Sequence, residues 1–363
     1  MLRVSIAHEW LVRYGGSERC VEELLVTYPA ATVLTTIIEP SAVPESLRRA
    51  QPSFLQLLPG ATTHHEWLLP LIPLSWRLRP ELEEVDVVIS SSHACAKAVR
   101  VASGVPHICY CHTPMRYAWN FDAERARFPA VIRPVARLGM GWFRRWDRRT
   151  ASRVTCFLAN SSAVAGRVRR SYDRPARVVH PPVRTDFFTP EGERTGDFVF
   201  VGRLVGYKSP TALIDAFEGL PHRLLIVGEG SARAELERRA PDNVVFLGLV
   251  DDERLRELYR SARALVYPVD EDFGIAMAEA QACGTPVIAL NSGGARDIVE
   301  SGRTGWLVDE PTSAVLRRAV QDAARGEVDH EYIARRAQRF SAARFRDEIR
   351  EVVDASLSKR APA

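Results

Sequence analysis

Two carboxylates, Glu271 and Glu279, flank Gly274 with seven residues between them, in the run Asp270-Glu271-Asp272-Phe273-Gly274-Ile275-Ala276-Met277-Ala278-Glu279-Ala280. The run follows a strand-like stretch, Ala264-Leu265-Val266-Tyr267, and opens a helical one. Gly274 lets the backbone come close to a ligand. The amides of Phe273, Gly274 and Ile275 are then the donors that a helix start leaves without acceptors. With the helix dipole behind them they form an anion site. The two acids can accept bonds from hydroxyls on either side. A ligand with phosphates in the middle and hydroxyl-rich sugars at both ends suits that layout, and a nucleotide diphosphate sugar is such a ligand. An acid near a helix start is also a common partner of the helix dipole with no ligand involved.

A second phosphate-binding group is written as strand, loop and helix start in Val199-Phe200-Val201-Gly202-Arg203-Leu204-Val205-Gly206-Tyr207-Lys208-Ser209-Pro210. Gly202 and Gly206 free the backbone, and Arg203 and Lys208 supply two fixed positive charges. Cations placed where a departing diphosphate gathers negative charge lower the barrier to its departure. Spacing alone fits an ordinary surface loop equally well. Val227-Gly228-Glu229-Gly230 follows another strand, but Arg233 stands where a dinucleotide fingerprint needs its third glycine, which argues against an NAD enzyme. In the N-terminal half, Tyr14-Gly15-Gly16-Ser17-Glu18 sits between a strand and a helix and can approach a phosphate, or can be a plain loop with Ser17 as helix cap. His112, in Tyr110-Cys111-His112-Thr113-Pro114-Met115-Arg116-Tyr117, sits at a strand's carboxyl end, where α/β enzymes place ligands.

The whole string Glu271-x-Phe273-Gly274-x-x-x-x-Glu279, followed by Ala282-Cys283-Gly284-Thr285-Pro286-Val287-Ile288-Ala289 and Gly293-Gly294, resembles the donor-binding signature of the retaining glycosyltransferases of the GT-B fold, family 4. Gly202-Arg203-Leu204 with Lys208 resembles that family's Gly-Arg-Leu…Lys-Gly pattern, with Ser209 where the family commonly has Gly. Asp297 stands where the family usually has Glu. The resemblance covers nearly the whole chain, most strongly residues 197 to 309. It implies two Rossmann-like α/β domains facing an interdomain cleft, the first binding acceptor and the second the nucleotide sugar. It implies that Arg203, Lys208 and the Gly274 and Ile275 amides stabilise the leaving diphosphate. Glu271 would then hold donor-sugar hydroxyls, Glu279 the ribose diol, and backbone at Leu249 and Val250 the base. His112 would orient the sugar, while Gly15 and Gly16 close over the diphosphate and Gly202 and Phe273 line the same site. No metal or other cofactor is implied, because no convincing Asp-x-Asp loop is present.

The narrower string His112-Thr113-Pro114-x-Arg116-Tyr117 looks like a bacterial subset that builds O-antigens, other lipopolysaccharide parts and exopolysaccharides. It implies a mannosyltransferase using GDP-mannose, with a sugar on a polyprenyl diphosphate as acceptor. The alternatives on the same scaffold are a UDP-sugar-dependent transferase, a nucleotide-sugar epimerase and a non-catalytic nucleotide-sugar binder. A pyridoxal phosphate phosphorylase would need a cofactor lysine and usually a much longer chain.

These residues need strands and helices to position them. Twelve strand-like runs alternate with helical stretches: Arg3–Ala7, Thr32–Thr35, Val85–Ser90, His107–Tyr110, Thr155–Ala159, Arg177–Val179, Asp197–Val201, Arg223–Val227, Val244–Leu247, Ala264–Tyr267, Pro286–Ala289 and Gly305–Val308. Many are continuously apolar, as parallel strands covered on both faces are. Helical patterns such as Ser231–Arg239, Asp251–Arg260 and Ala314–Ala324 fit between them. The alternation predicts two doubly wound α/β units. Pro190, Gly192 and Gly196, without periodicity around them, place a boundary there. The expected domains are 1–185 and 190–340, and a helical stretch from about Glu331 to Leu357 is expected to pack its end, about 341–357, back on the first.

The chain has 363 residues, 46% hydrophobic and 26% charged, with a net charge of +4. That length allows two domains. The charge is too weak to indicate nucleic acid. The N-terminus reads as a strand and not as a signal peptide, and no stretch has the length of a membrane span. Six cysteines show no disulfide spacing, and the expectation is reduced thiols in the cytoplasm. Cys109-Tyr110-Cys111-His112 has no second cluster to complete a metal site. Residues 131–153 hold Arg133, Arg137, Arg144, Arg145, Arg148, Arg149 and Arg153 among Trp142, Phe143 and Trp146. Such a helix suits an anionic membrane surface, or a solvated basic face whose aromatics point to the core. The expectation is peripheral association with the inner face of the cytoplasmic membrane.

Overall fold

The computed structural model describes residues 2–120, 133–192, 194–205 and 211–359, without the side chains of residues 117 and 133–138. The chain divides into two compact units. One comprises Met1–Pro182 with Phe345–Ala363, the other Val183–Arg344. Each contains a six-stranded sheet, and every strand pairing is parallel. The expected α/β class with two doubly wound sheets is what the chain forms.

In the first unit the strands are β1 (Val4–His8), β2 (Thr32–Leu34), β3 (Val87–Ser92), β4 (His107–Cys111), β5 (Cys156–Ala159) and β6 (Ala176–Val178). Their order across the sheet is β2-β1-β3-β4-β5-β6. Side chains alternate between two buried faces. Val4, Ile6, Ile89, Ile108 and Tyr110 pack with Val21 and Leu24 of helix Gly16–Thr27 and with Phe345, Ile349 and Val353 of helix Ala342–Ser358. Cys109 and Cys111 turn the other way, onto Phe157 and Val164. This two-sided burial explains why these strands read as apolar runs. All six cysteines are free thiols.

In the second unit the strands are β7 (Phe198–Val201), β8 (Leu224–Val227), β9 (Val244–Gly248), β10 (Ala264–Tyr267), β11 (Val287–Leu290) and β12 (Gly305–Val308), in the order β12-β11-β10-β7-β8-β9. The chain winds outward from β7 through β8 to β9, then crosses back to lay β10 against the other side of β7. The topological switch therefore lies between β7 and β10, and in the first unit it lies between β1 and β3. Crevices at the carboxyl ends of strands beside such switches are where open α/β sheets bind ligands.

The structure differs from the sequence expectation in the C-terminal stretch. Glu331 to Leu357 is not one helix: helix His330–Ala337 ends in a 3-10 turn, Gln338–Phe340, and a new helix, Ala342–Ser358, begins after Ser341. Phe340 is drawn into the core of the second unit and Phe345 into that of the first, so the apolar period is interrupted between them.

Candidate functional site

Both predicted phosphate groups of the second unit fall at its switch point. The Gly202–Arg203 loop leaves the carboxyl end of β7, and residues 269–274 leave that of its neighbour β10. The β7 loop is stitched to the loop after β8. Gly202 N donates to Val227 O at 3.0 Å, Leu204 N to Glu229 O at 2.9 Å, and Ala232 N to Leu204 O at 2.9 Å. A Cβ on Gly228 would overlap the Gly202 carbonyl, so this close approach requires glycine. The stitching fixes the backbone beneath Arg203, whose side chain is exposed. Lys208 lies outside the described residues.

Gly274 caps helix Ile275–Ala282 with φ 97°, the left-handed region that glycine adopts without strain. The Ile275 and Ala276 amides lead that helix and have no acceptor within it. Met277 N already donates to Gly274 O at 3.0 Å. Phe273 is buried against Phe340, with ring centroids 5.4 Å apart, and anchors the loop to the core. Glu271 is held from two sides. Tyr267 OH donates to its Oε1 at 3.0 Å, and its carbonyl accepts from Gly294 N at 2.9 Å. Tyr267 is itself stacked on Phe200 of β7 at 5.8 Å. A Cβ on Gly294 would overlap the Phe273 backbone, so the Gly293-Gly294 pair is the wall against which the Glu271–Phe273 loop lies. Glu279, one turn into the helix, is buried. Leu249 and Val250 follow β9 at the sheet edge, two strands from β7; Leu249 is 78% exposed and Val250 half-buried.

The first unit gathers its predicted residues at its own switch point. Gly15, extended at φ −161°, caps helix Gly16–Thr27 without a side-chain bond. Ser17 is not the cap: its hydroxyl donates to Glu18 Oε2 at 2.9 Å. His112 follows β4, and its carbonyl accepts from Asn160 Nδ2 at 3.1 Å. Ser161, beside Asn160, caps the next helix through Val164 N at 3.2 Å.

Sequence reasoning did not single out what holds His112. Ser91 Oγ lies 2.8 Å from His112 Nε2 and 3.1 Å from His8 Nδ1. The Ser91 carbonyl lies 3.2 Å from His8 Nδ1, and Glu18 Oε1 lies 3.4 Å from His8 Nε2. Burial, then the nearby rings of His93 and His8, push the His112 pKa well below its ordinary value, so the imidazole is neutral. Glu9, beside β1, is buried and accepts from Ser92 Oγ at 2.9 Å and from the Ala94 and Ala96 amides at 2.8 Å each, which fixes the loop carrying His93. Ser91 and His8 stand 83 positions apart, so no local pattern announces their contact.

The basic segment is a helix, Arg133–Ala151, and its described aromatics divide. Phe143 is buried and Trp146 half-buried, while Trp142 is 55% exposed. Asp147 is buried in an ion pair with Lys97 and accepts from Trp119 Nε1 at 2.7 Å and from Tyr172 OH at 2.8 Å. Arg148 lies over the Trp119 ring and donates to Ser171 O at 2.9 Å. Arg144, Arg145 and Arg149 are exposed. Among the described residues, no helix is long and apolar enough to cross a membrane, and no cluster of His, Cys, Asp and Glu could hold a metal ion.

The family descriptions divide at the same place as the chain. "Glycosyltransferase Family 4" matches residues 14–187 and "Glycosyl transferases group 1" matches residues 184–340. The chain thus belongs to the glycosyltransferases of the GT-B fold, group 1 and family 4. Among curated relatives, it is 41% identical over 159 residues to a D-inositol 3-phosphate glycosyltransferase of Mycobacteroides abscessus, covering 37% of this chain and 36% of the relative. It is 33% identical over 202 residues to the enzyme of that name from Streptomyces scabiei, covering 46% and 45%. The chain thus spans less than half the length of these relatives. Among solved structures, sucrose-phosphate synthase from Thermosynechococcus elongatus superposes with TM-score 0.73 at 19% identity, over 99% of this chain and 100% of that one. HepE from Anabaena, in complex with UDP-glucose, superposes with TM-score 0.68 at 19% identity over 98% and 100%. At these identities the likeness is one of fold.

Proposed function

We propose that the protein is a retaining hexosyltransferase that takes its donor, a nucleotide sugar, at the β7–β10 switch of the second unit. The observation that carries this is the loop from Glu271 to Gly274. It is pinned by Tyr267 and Gly294 so that helix-start amides and two carboxylates flank one strand end, beside the fixed Arg203 loop. In this reading Arg203, Lys208 and the Gly274 and Ile275 amides stabilise the departing diphosphate. Glu271 accepts from donor-sugar hydroxyls and Glu279 from the ribose diol, while the backbone at Leu249 and Val250 meets the base. Neutral His112 orients the sugar, and Gly15 and Gly16 contact the diphosphate; these three assignments rest on the family resemblance. No carboxylate is assigned as a covalent nucleophile. The acceptor attacks the face from which the diphosphate leaves, and the diphosphate takes the acceptor proton. No metal has a role in this reading.

The proposed donor is GDP-mannose and the proposed acceptor a sugar on a polyprenyl diphosphate, presented at an anionic membrane surface. The string from His112 to Tyr117 supports this. A UDP-sugar donor is the second reading, favoured by the structural likeness to HepE, which was solved with UDP-glucose. The names of the curated relatives favour an inositol phosphate as acceptor. Calorimetry against GDP-mannose, GDP, UDP-glucose and UDP, followed by turnover with a lipid extract and with inositol phosphate, separates these readings. Release of nucleotide without an acceptor would instead identify an epimerase. Arg203→Ala and Lys208→Ala should each lower turnover on the order of 10²-fold or more, the effect of losing one donor to a developing anion. Near-normal rates in both would overturn the phosphate assignment.

A further inference from the structure

The exposed large apolar side chains are not scattered. Of the ten among the described residues, six (Phe54, Leu57, Trp67, Leu71, Leu74 and Leu78) fall between residues 54 and 78 of the first unit. Four of these lie along the 3-10 helix His65–Leu71 and the helix Ile72–Arg77 that continues it: Trp67, 82% exposed, and then Leu71, 40%, Leu74, 44%, and Leu78, 64%, the last three at α-helical spacing. The opposite side of the same segment, Leu69, Ile72 and Trp76, is buried in one cluster with Met140 and Phe143 of helix Arg133–Ala151. The segment is therefore apolar on both sides, whereas a surface helix needs only one apolar face.

A groove of about 590 Å³ runs beside it, bounded by Pro73 and Trp146 and lined by Arg77, Arg100, Arg149 and Arg153, with no carboxylate among its lining residues. Arg100 also reaches Glu81, at 3.3 Å across an exposed pair, which at that exposure holds it weakly. The groove lies near the amino ends of β4 and β5, away from the carboxyl ends that carry His8 and His112.

We propose that the Trp67–Leu78 ridge and the neighbouring arginine groove form one docking surface for an anionic bilayer. The ridge enters the boundary between head groups and acyl chains, and the arginines meet lipid phosphates. Charge complementarity favours this occupant: a row of cations beside an apolar stripe, with no carboxylate between them, matches the phosphate layer and the acyl boundary of an anionic lipid surface. The inference deepens the lipid-linked acceptor proposed above. It also moves the contact from the aromatics of helix Arg133–Ala151, of which Phe143 is buried, to the preceding segment.

The test is co-sedimentation of the full chain with vesicles of phosphatidylcholine alone and of phosphatidylcholine mixed in equal parts with phosphatidylglycerol. Binding should occur on the mixed vesicles and fall as salt rises. The combined Trp67→Ser, Leu71→Ser, Leu74→Ser and Leu78→Ser variant should lose it, with unchanged circular dichroism because these side chains are exposed. Arg77→Ala and Arg149→Ala should each weaken binding roughly five-fold, and this second pair keeps the test open if the ridge variant misfolds. Trp142→Ser should bind as wild type. Binding lost with Trp142→Ser but kept in the ridge and arginine variants overturns the proposal. So does a wild-type dimer that the ridge variant dissolves without any vesicle binding, which would make the ridge a self-association face. Donor binding is measured by calorimetry in the same samples. Nucleotide binding without vesicle binding sinks this inference alone, and the reverse sinks the transferase reading alone.

Discussion

Ser91 Oγ bridges two histidines, 2.8 Å from His112 Nε2 and 3.1 Å from His8 Nδ1. The Ser91 carbonyl, 3.2 Å from the same His8 nitrogen, and the Glu18 carboxylate, 3.4 Å from His8 Nε2, can only accept, so each calls for a proton on the His8 nitrogen it faces. The Ser91 hydroxyl has one hydrogen to share between the two rings. The tautomer of a neutral His112 is therefore tied to the protons of His8 through that hydroxyl.

Replacing that hydroxyl should release the tautomer. Ser91→Ala should change the balance of Nδ1–H and Nε2–H forms seen in the His112 ring-nitrogen resonances and lower turnover by roughly five-fold, the worth of a hydrogen bond of about 1 kcal/mol. Ser91→Thr, which keeps the hydroxyl, should restore the wild-type resonances. Unaltered nitrogen shifts in Ser91→Ala would remove the bridge from the account.

Tyr267 OH donates to Glu271 Oε1 at 3.0 Å, and Phe200 holds Tyr267 by stacking. Tyr267→Phe keeps the stack and deletes the bond. Donor affinity should fall roughly five-fold, again about 1 kcal/mol, while affinity for the nucleoside diphosphate without its sugar stays as in wild type. An equal loss for both ligands would move Glu271 away from the sugar.

Gly294 leaves no room for a methyl group against the Phe273 backbone. Gly294→Ala should displace the Glu271–Gly274 loop and destabilise the second unit by about 1–3 kcal/mol, as overpacking does. Urea unfolding gives the stability change and calorimetry the accompanying loss of donor binding. A variant that binds donor with full affinity would show that the wall is not needed.

Buried histidines, His107 and His112 among them, make the first unit acid-sensitive. Burial, then Lys97, pushes the His107 pKa down from 6.5 to about 4, and burial lowers that of His112 as well. Because both folded values lie below the unfolded one, the unfolded chain binds more protons across the interval between them. Stability is therefore complete above the unfolded value and is lost as pH falls below it, with a slope approaching about 1.4 kcal/mol per pH unit for each histidine. Six of the seven tryptophans lie in the first unit, so denaturation followed by tryptophan fluorescence reports on it. The midpoint should drop between about pH 6.5 and pH 5, and His107→Gln should flatten that drop. A flat wild-type profile would contradict the buried, neutral state.

Much of this was legible in the residues. All twelve strands lie within about two residues of their expected positions, because strands covered on both faces must be continuously apolar and their loops carry glycine. Gly274, Glu271 and Glu279 were readable because they share one short segment whose strand and helix give them fixed offsets. Three things were not. The supports of His112 come from β1, β3, a helix and the residue after β5, and 83 positions separate Ser91 from His8. The break at Gln338–Phe340 is set by two cores drawing Phe340 and Phe345 apart, which no periodicity records. The exposed ridge at Trp67–Leu78 reads as an ordinary buried segment, since apolar residues on the wrong side of a helix show only once the right side is known.

The most direct test of the donor site is a crystal structure of the protein with a nucleoside diphosphate sugar. The account predicts the diphosphate on the Gly274 and Ile275 amides beside Arg203, Glu271 on the sugar hydroxyls and Glu279 on the ribose. A nucleotide bound elsewhere, or with both carboxylates turned away from it, would contradict it.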